Sequence, residues 1–211
     1  MKYAARGFSL IELMIVVAIM GTLLSLALPS FSVYLRNVKL RSATEMFIAG
    51  LQLARSEAVR MNTSVEFLVT ANDPLAANVG TATASVAGTN WMVRTADMAT
   101  FIEGKFGIEG SGSATAATIS VRINDTSPPA NADPDPPPAI PVASIVFDGL
   151  GRTSLASAAV FKFNDPASGV CVTAGGPVRC LRVMVATGGQ IRLCDPAVGA
   201  AAVAAGDSRG C

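Results

Sequence analysis

Three regimes of apolar spacing follow one another along the chain. From Leu13 to Leu35 there is no charge, and the apolar run is interrupted only by Gly21, Thr22, Ser25, Pro29, Ser30 and Ser32. As a helix, about 23 residues rising about 1.5 Å each cover roughly 34 Å, enough to cross a hydrocarbon core of about 30 Å. Pro29 lacks an amide donor and crowds the preceding turn, which predicts a kink rather than a stop, because helical spacing resumes after it. In the second regime Leu40, Ala43, Phe47, Leu51, Ala54, Ala58 and Met61 recur at steps of three and four, while Arg41, Glu45, Gln52, Ser56 and Arg60 fall off that line. Such a stripe predicts an amphipathic helix over 36–62 that packs on a sheet. After Asn62 the period becomes two. Val65, Phe67 and Val69 alternate with Ser64, Glu66 and Leu68; Ile119, Val121 and Ile123 flank Ser120 and Arg122; Leu181, Val183 and Val185 flank Arg182 and Met184. Further strands are expected at 90–95, 144–148, 160–164 and 190–194, with Thr187-Gly188-Gly189 as a tight hairpin connection. The Pro-, Asp- and Ala-rich stretch 124–141 reads as an exposed loop.

The predicted class is α+β: a long N-terminal helix, transmembrane and then amphipathic, packed on an antiparallel β-sheet domain. The 211 residues suit one folded domain with appendages. The segments read as a leader at 1–7, a transmembrane stem at 8–35 and a globular domain at 36–211, the last comprising the helix 36–62, a β-rich region 63–196 and a tail 197–211. Lys2 and Arg6 precede the apolar run, which holds the N-terminus in the cytoplasm and sends the remainder across the membrane. Leu26-Ala27-Leu28-Pro29-Ser30 offers no small-x-small site for ordinary signal cleavage after the run.

The net charge of +1 gives no bulk attraction to nucleic acid or anionic lipid. Its distribution is uneven: 36–60 holds five basic residues against two acidic, 61–149 three against nine, and 150–211 six against three. The chain has no His, which removes the commonest general base and metal ligand together. No catalytic constellation, phosphate-cradling loop or cofactor motif is present, so neither an enzyme nor a metal or cofactor site is expected. Glu12 breaks the apolar face of the stem. A carboxylate at membrane depth costs about 3 kcal/mol on insertion scales, so it calls for a partner.

Gly7-Phe8-Ser9-Leu10-Ile11-Glu12-Leu13-Met14 resembles the signal of type IV pilins and pseudopilins. The resemblance implies cleavage by prepilin peptidase between Gly7 and Phe8, N-methylation of Phe8, and assembly with other pilins through Glu12, which would neutralise the terminal amine of a neighbouring subunit. It also implies that Pro29 matches the helix-perturbing proline of such stems. The stretch from Leu51 to Arg60, then Val65, and Val146-Phe147-Asp148-Gly149-Leu150-Gly151-Arg152 are similar to the GspH/FimT family of pseudopilins and minor pilins. That family implies an inner-membrane subunit with a periplasmic domain, placed near a filament tip and helping to start assembly. Three functions are expected in order: a minor pilin of a type IV pilus, a protein H-like pseudopilin of type II secretion, and a single-pass anchored periplasmic binding domain.

Cys171, Cys180, Cys194 and Cys211 fall in the last fifth of the chain. In a periplasmic domain they are expected as disulfides rather than a zinc site. The expected pairs are Cys171–Cys180, through Gly175-Gly176-Pro177, and Cys194–Cys211, which would tie down the tail; four cysteines allow three connectivities, and the other two stay open. Some relatives bind DNA through a Gly-Arg-x-Arg motif. Here the matching segment is Gly189-Gln190-Ile191-Arg192, with one arginine absent, and Arg179, Arg182, Arg192 and Arg209 are the candidate phosphate contacts.

Overall fold

The structure, a computed structural model, describes residues 9–107, 142–164 and 171–210. The expected strand at 119–123, the loop 124–141 and the leader fall outside the described residues. The chain divides into two compact units, Met1–Leu35 and Arg36–Cys211. One helix, α1 (Leu10–Met61), runs through both. Ser9 caps it: the Ser9 hydroxyl accepts the Glu12 amide at 3.2 Å, the Ser-x-x-Glu spacing of a capping box. Its other end closes as a Schellman turn. Thr63 donates its amide to the Ala58 carbonyl and Asn62 to that of Val59, with Asn62 left-handed at φ 48°.

Among the described residues seven strands follow: β1 (Val65–Thr70), β2 (Asn90–Thr95), β3 (Phe101–Lys105), β4 (Ser144–Phe147), β5 (Ala159–Phe163), β6 (Leu181–Val185) and β7 (Ile191–Cys194). A short helix, α2 (Ala200–Ala204), ends the series. The strands form two antiparallel sheets, ordered β3-β2-β1-β4 and β5-β6-β7, where the sequence suggested a single sheet region. The helical stripe is the packing face that its spacing predicted. Leu40, Phe47, Leu51, Ala54 and Ala58 are buried, joined by Thr44, whose hydroxyl is satisfied by the Leu40 carbonyl at 2.8 Å. Gly50 lies on the same face because a Cβ there would stand 2.7 Å from the Trp91 ring.

Phe47 is the centre of the core. Its ring meets Phe67 of β1 at 4.8 Å and both Phe161 and Phe163 of β5, at 5.0 and 5.1 Å, so one helical side chain touches both sheets. Phe67 stacks in turn on Trp91 at 5.5 Å. β5 alternates strictly, with Ala159, Phe161 and Phe163 turned inward.

Three expectations need correction. Leu68 was placed on the polar face of β1, yet it is fully buried, because the segment 71–89 covers the back of the sheet and joins Ala82 to Leu68 and Met92. Arg94 pins that cover: it pairs with Glu66 at 2.8 Å and donates to the carbonyls of Val79 and Ala82 at 2.6 and 3.0 Å. β3 was not foreseen, since Glu103, Gly104 and Lys105 carry no apolar alternation. The tail is more than a tethered coil: α2 forms within it, and the Asp195 amide donates to the Arg209 carbonyl at 2.7 Å.

Candidate functional site

The first candidate region is the stem. From Leu10 to Leu35 the large apolar side chains that are exposed range from 41% to 77% exposure, far beyond what a soluble surface tolerates as one contiguous face. Two of its hydroxyls are satisfied within the helix: Thr22 donates to the Ile19 carbonyl and Ser25 to the Thr22 carbonyl, each at 2.8 Å, which suits an apolar surrounding. Among the described residues no single helix is long and apolar enough to cross a membrane, but Leu10–Ser25 and Ser30–Met61, a pair bent at the break between them, meet that test together by length and composition. Pro29 belongs to this break. Glu12 is exposed in the first turn of α1, at the start of this apolar run. Gly7 and Phe8, the expected processing site, lie outside the described residues.

The second region is the seam between the sheets, built from Asp148-Gly149-Leu150-Gly151-Arg152-Thr153. Asp148 organises the turn: its carboxylate accepts the amides of Leu150 and Arg152, both at 2.9 Å, and pairs with the Arg152 guanidinium at 3.3 Å. The Arg152 amide and, after it, the Leu150 amide and the Arg152 charge hold this carboxyl below the usual carboxylate range. Thr153 then crosses between sheets. It bridges to Phe147 at the end of β4, donates its amide to the Thr187 carbonyl at 3.0 Å, and places its hydroxyl 3.3 and 3.0 Å from the carbonyls of Ala186 and Thr187. From the helix, Arg55 donates Nε to the Gly151 carbonyl at 3.1 Å. Gly189 sits against the same carbonyl in a left-handed conformation (φ 81°), where a Cβ would collide with the Gly151 oxygen. The predicted hairpin connection is therefore also the docking point of the seam.

Cys171 and Cys180 form the expected disulfide, with Cα atoms 5.6 Å apart. Cys194 is also disulfide-bonded, and its expected partner Cys211 lies outside the described residues. The candidate arginines do not make a free cationic surface. Arg182 is 9% exposed, buried where it stands on β6. Arg179 pairs with Asp195 at 3.0 Å, Arg209 with Asp207 at 2.7 Å, and Arg192 donates to the Gly210 carbonyl at 3.4 Å. The Arg209 guanidinium, followed by the Arg209 amide, pulls the Asp207 carboxyl down to about 2.

Two family profiles match the sequence. The prokaryotic N-terminal methylation motif covers residues 2–28, and the family described as type II transport protein GspH covers residues 43–208. The chain belongs to the GspH family. Among solved structures it is similar to the Pseudomonas aeruginosa type IV minor pilin FimU in two crystal forms. One shares 19% identity, covers 73% of this chain and 87% of that chain, and has a TM-score of 0.45; the other shares 16%, covers 72% and 90%, and has a TM-score of 0.43. No curated protein sequence matches the chain.

GspH-family chains are structural pilin-like subunits rather than enzymes, and the methylation motif goes with processing by prepilin peptidase and assembly with other pilins. Against that background the reading of the sequence missed two groups. Ser9 was quoted only as part of the signal, although Ser-x-x-Glu is itself a visible capping signal. Arg55 and Thr153 carry the seam, and nothing local in the sequence marks them, because their partners lie 96 and 34 residues away.

Proposed function

We propose that this GspH-family subunit is a minor pilin of a type IV pilus. It crosses the bacterial inner membrane once, with its N-terminus in the cytoplasm and its globular domain in the periplasm. Prepilin peptidase cuts between Gly7 and Phe8, Phe8 is N-methylated, and α1 then carries the subunit into the filament near its tip, where it helps to start assembly. One observation carries the reading: a carboxylate, Glu12, stands in the first turn of a helix whose apolar side chains face outward along 10–35. Lipid covers such a face but leaves a charge uncompensated, whereas a neighbouring subunit's terminal amine compensates it.

Glu12 also belongs to the helix cap, so Glu12→Gln is the informative variant: it keeps the hydrogen-bonding shape of the capping box and removes only the charge. The expected outcome is normal processing and membrane insertion with at least about tenfold less subunit in sheared filaments, a loss of about 1.4 kcal/mol or more. Full incorporation of Glu12→Gln would sink the charge pairing. A second reading, a pseudopilin of a type II secretion system, is favoured by the description of the matching family. Deleting the gene separates the two: a minor pilin's loss removes surface pili, a pseudopilin's loss retains exported proteins in the periplasm.

A further inference from the structure

The loop between β5 and β6 grips α1 just beyond the stem, and one covalent bond closes that loop. Val178, inside the Cys171–Cys180 ring, is 1% exposed and belongs to the same core cluster as Leu40. The Arg179 amide donates to the Asn37 side-chain oxygen at 2.8 Å, one residue before Cys180. The Arg179–Asn37 bond ties this segment to the turn of α1 that carries Asn37, and Val178 is buried in the core that also holds Leu40. The loop's described part, 171–180, holds a 3-10 turn at Val172–Ala174 and a bridge between Cys171 and Val178, with the amides of Ala174 and Gly176 on the Cys171 carbonyl at 2.8 and 2.9 Å and that of Val172 on the Val178 carbonyl at 2.8 Å. These bonds tie the segment to itself rather than to the helix, so its hold on α1 opens locally at low free energy unless something constrains it. The crosslink is that constraint, since it fixes the distance between the loop's two ends while Val178 and the Arg179 amide face the helix.

We propose that Cys171–Cys180 is a redox clasp on α1. In the disulfide form the loop holds residues 37–44 of the helix against the domain; in the dithiol form the loop and that stretch of helix loosen together, while the core around Phe47 stays folded. Opening the clasp takes two electrons from a dithiol reductant: the protein sulfurs become two thiols, and the reductant leaves as its own cyclic disulfide. The clasp therefore reports the oxidising state of the compartment at the point where the head takes hold of the membrane helix. The inference is independent of which filament the subunit joins.

The test is hydrogen exchange on the full-length protein in detergent, comparing the oxidised chain with the Cys171→Ser, Cys180→Ser double variant, which leaves the Cys194 crosslink in place. Exchange is expected to quicken about tenfold or more at 37–44 and 171–180 and to stay unchanged in β1 and β2. Unchanged exchange at 37–44 would overturn the clasp. Equal loosening of β1 and β2 would also overturn it, because that is the behaviour of a crosslink that stabilises the whole domain. Asn37→Ala with the disulfide intact is the second variant: a smaller acceleration at 37–44 and at the Arg179 amide is expected, and none at all would show that the grip does not pass through this bond.

Discussion

The two halves of α1 have the same backbone and opposite surroundings. Over 10–35 its large apolar residues look outward, with Leu10 77% exposed, while over 40–58 Leu40, Leu51, Ala54 and Ala58 are fully covered by the chain's own sheets. Helix propensity does not separate these halves, because both are helical along α1. The partner does. The head half buries its stripe against Phe67, Phe161 and Phe163, whereas the stem half needs cover from outside the chain. Stability of the head and occupancy of a membrane or filament are thus separate properties of one helix.

Substitutions can break this separation or sharpen it. Phe47→Ala has the largest expected effect, about 3–5 kcal/mol of head stability, because it empties a site shared by both sheets. Near-ultraviolet circular dichroism during denaturation would measure the loss, and membrane partition of the stem should not change; if both fell together, the halves would not be independent. Gly189→Ala comes next, at about 1–3 kcal/mol, since the left-handed backbone and the Gly151 carbonyl both oppose a Cβ. Its signature is faster amide exchange along 150–153 and 186–190 with the stem unaffected. Acid has the smallest effect. Asp148 is depressed in the folded chain, so its contribution is complete above the unfolded value near about 3.9 and fades as pH falls through the lower folded value. Exchange at the Leu150 and Arg152 amides should therefore rise on acidification below about pH 4 beyond its intrinsic change, and Asp148→Asn should remove that dependence.

What could be read from the sequence follows the range of the interactions. The stem, the buried stripe from Leu40 to Ala58 and the strand β6 are set by neighbours a few residues apart, and their periods announce them. Division into two sheets was not readable, because it depends on which strands pair across long separations. Leu68 illustrates the limit: its side of β1 is polar by pattern, and only the distant cover formed by 71–89 makes it core. Arg182 shows the same in reverse, a charged residue at an alternating position of β6 that is nonetheless buried. Within the candidate site, Glu12 stood out as a charge in an apolar run, and Cys171–Cys180 followed from proximity in the chain and compartment. The seam of Arg55, Gly151, Thr153 and Gly189 did not, since its meaning exists only once three remote segments meet.

The position of Phe47 fixes a timetable. A chain delivered N-terminus first exposes Phe47 and Phe67 early, but Phe161 arrives 94 residues after Phe67. Until then the ring has only one of its two walls, and the half-built head offers a sticky apolar cleft to whatever chaperone or sibling chain is near. Only with β5, and then β6 and β7 that pair onto it, does the newborn subunit become self-contained.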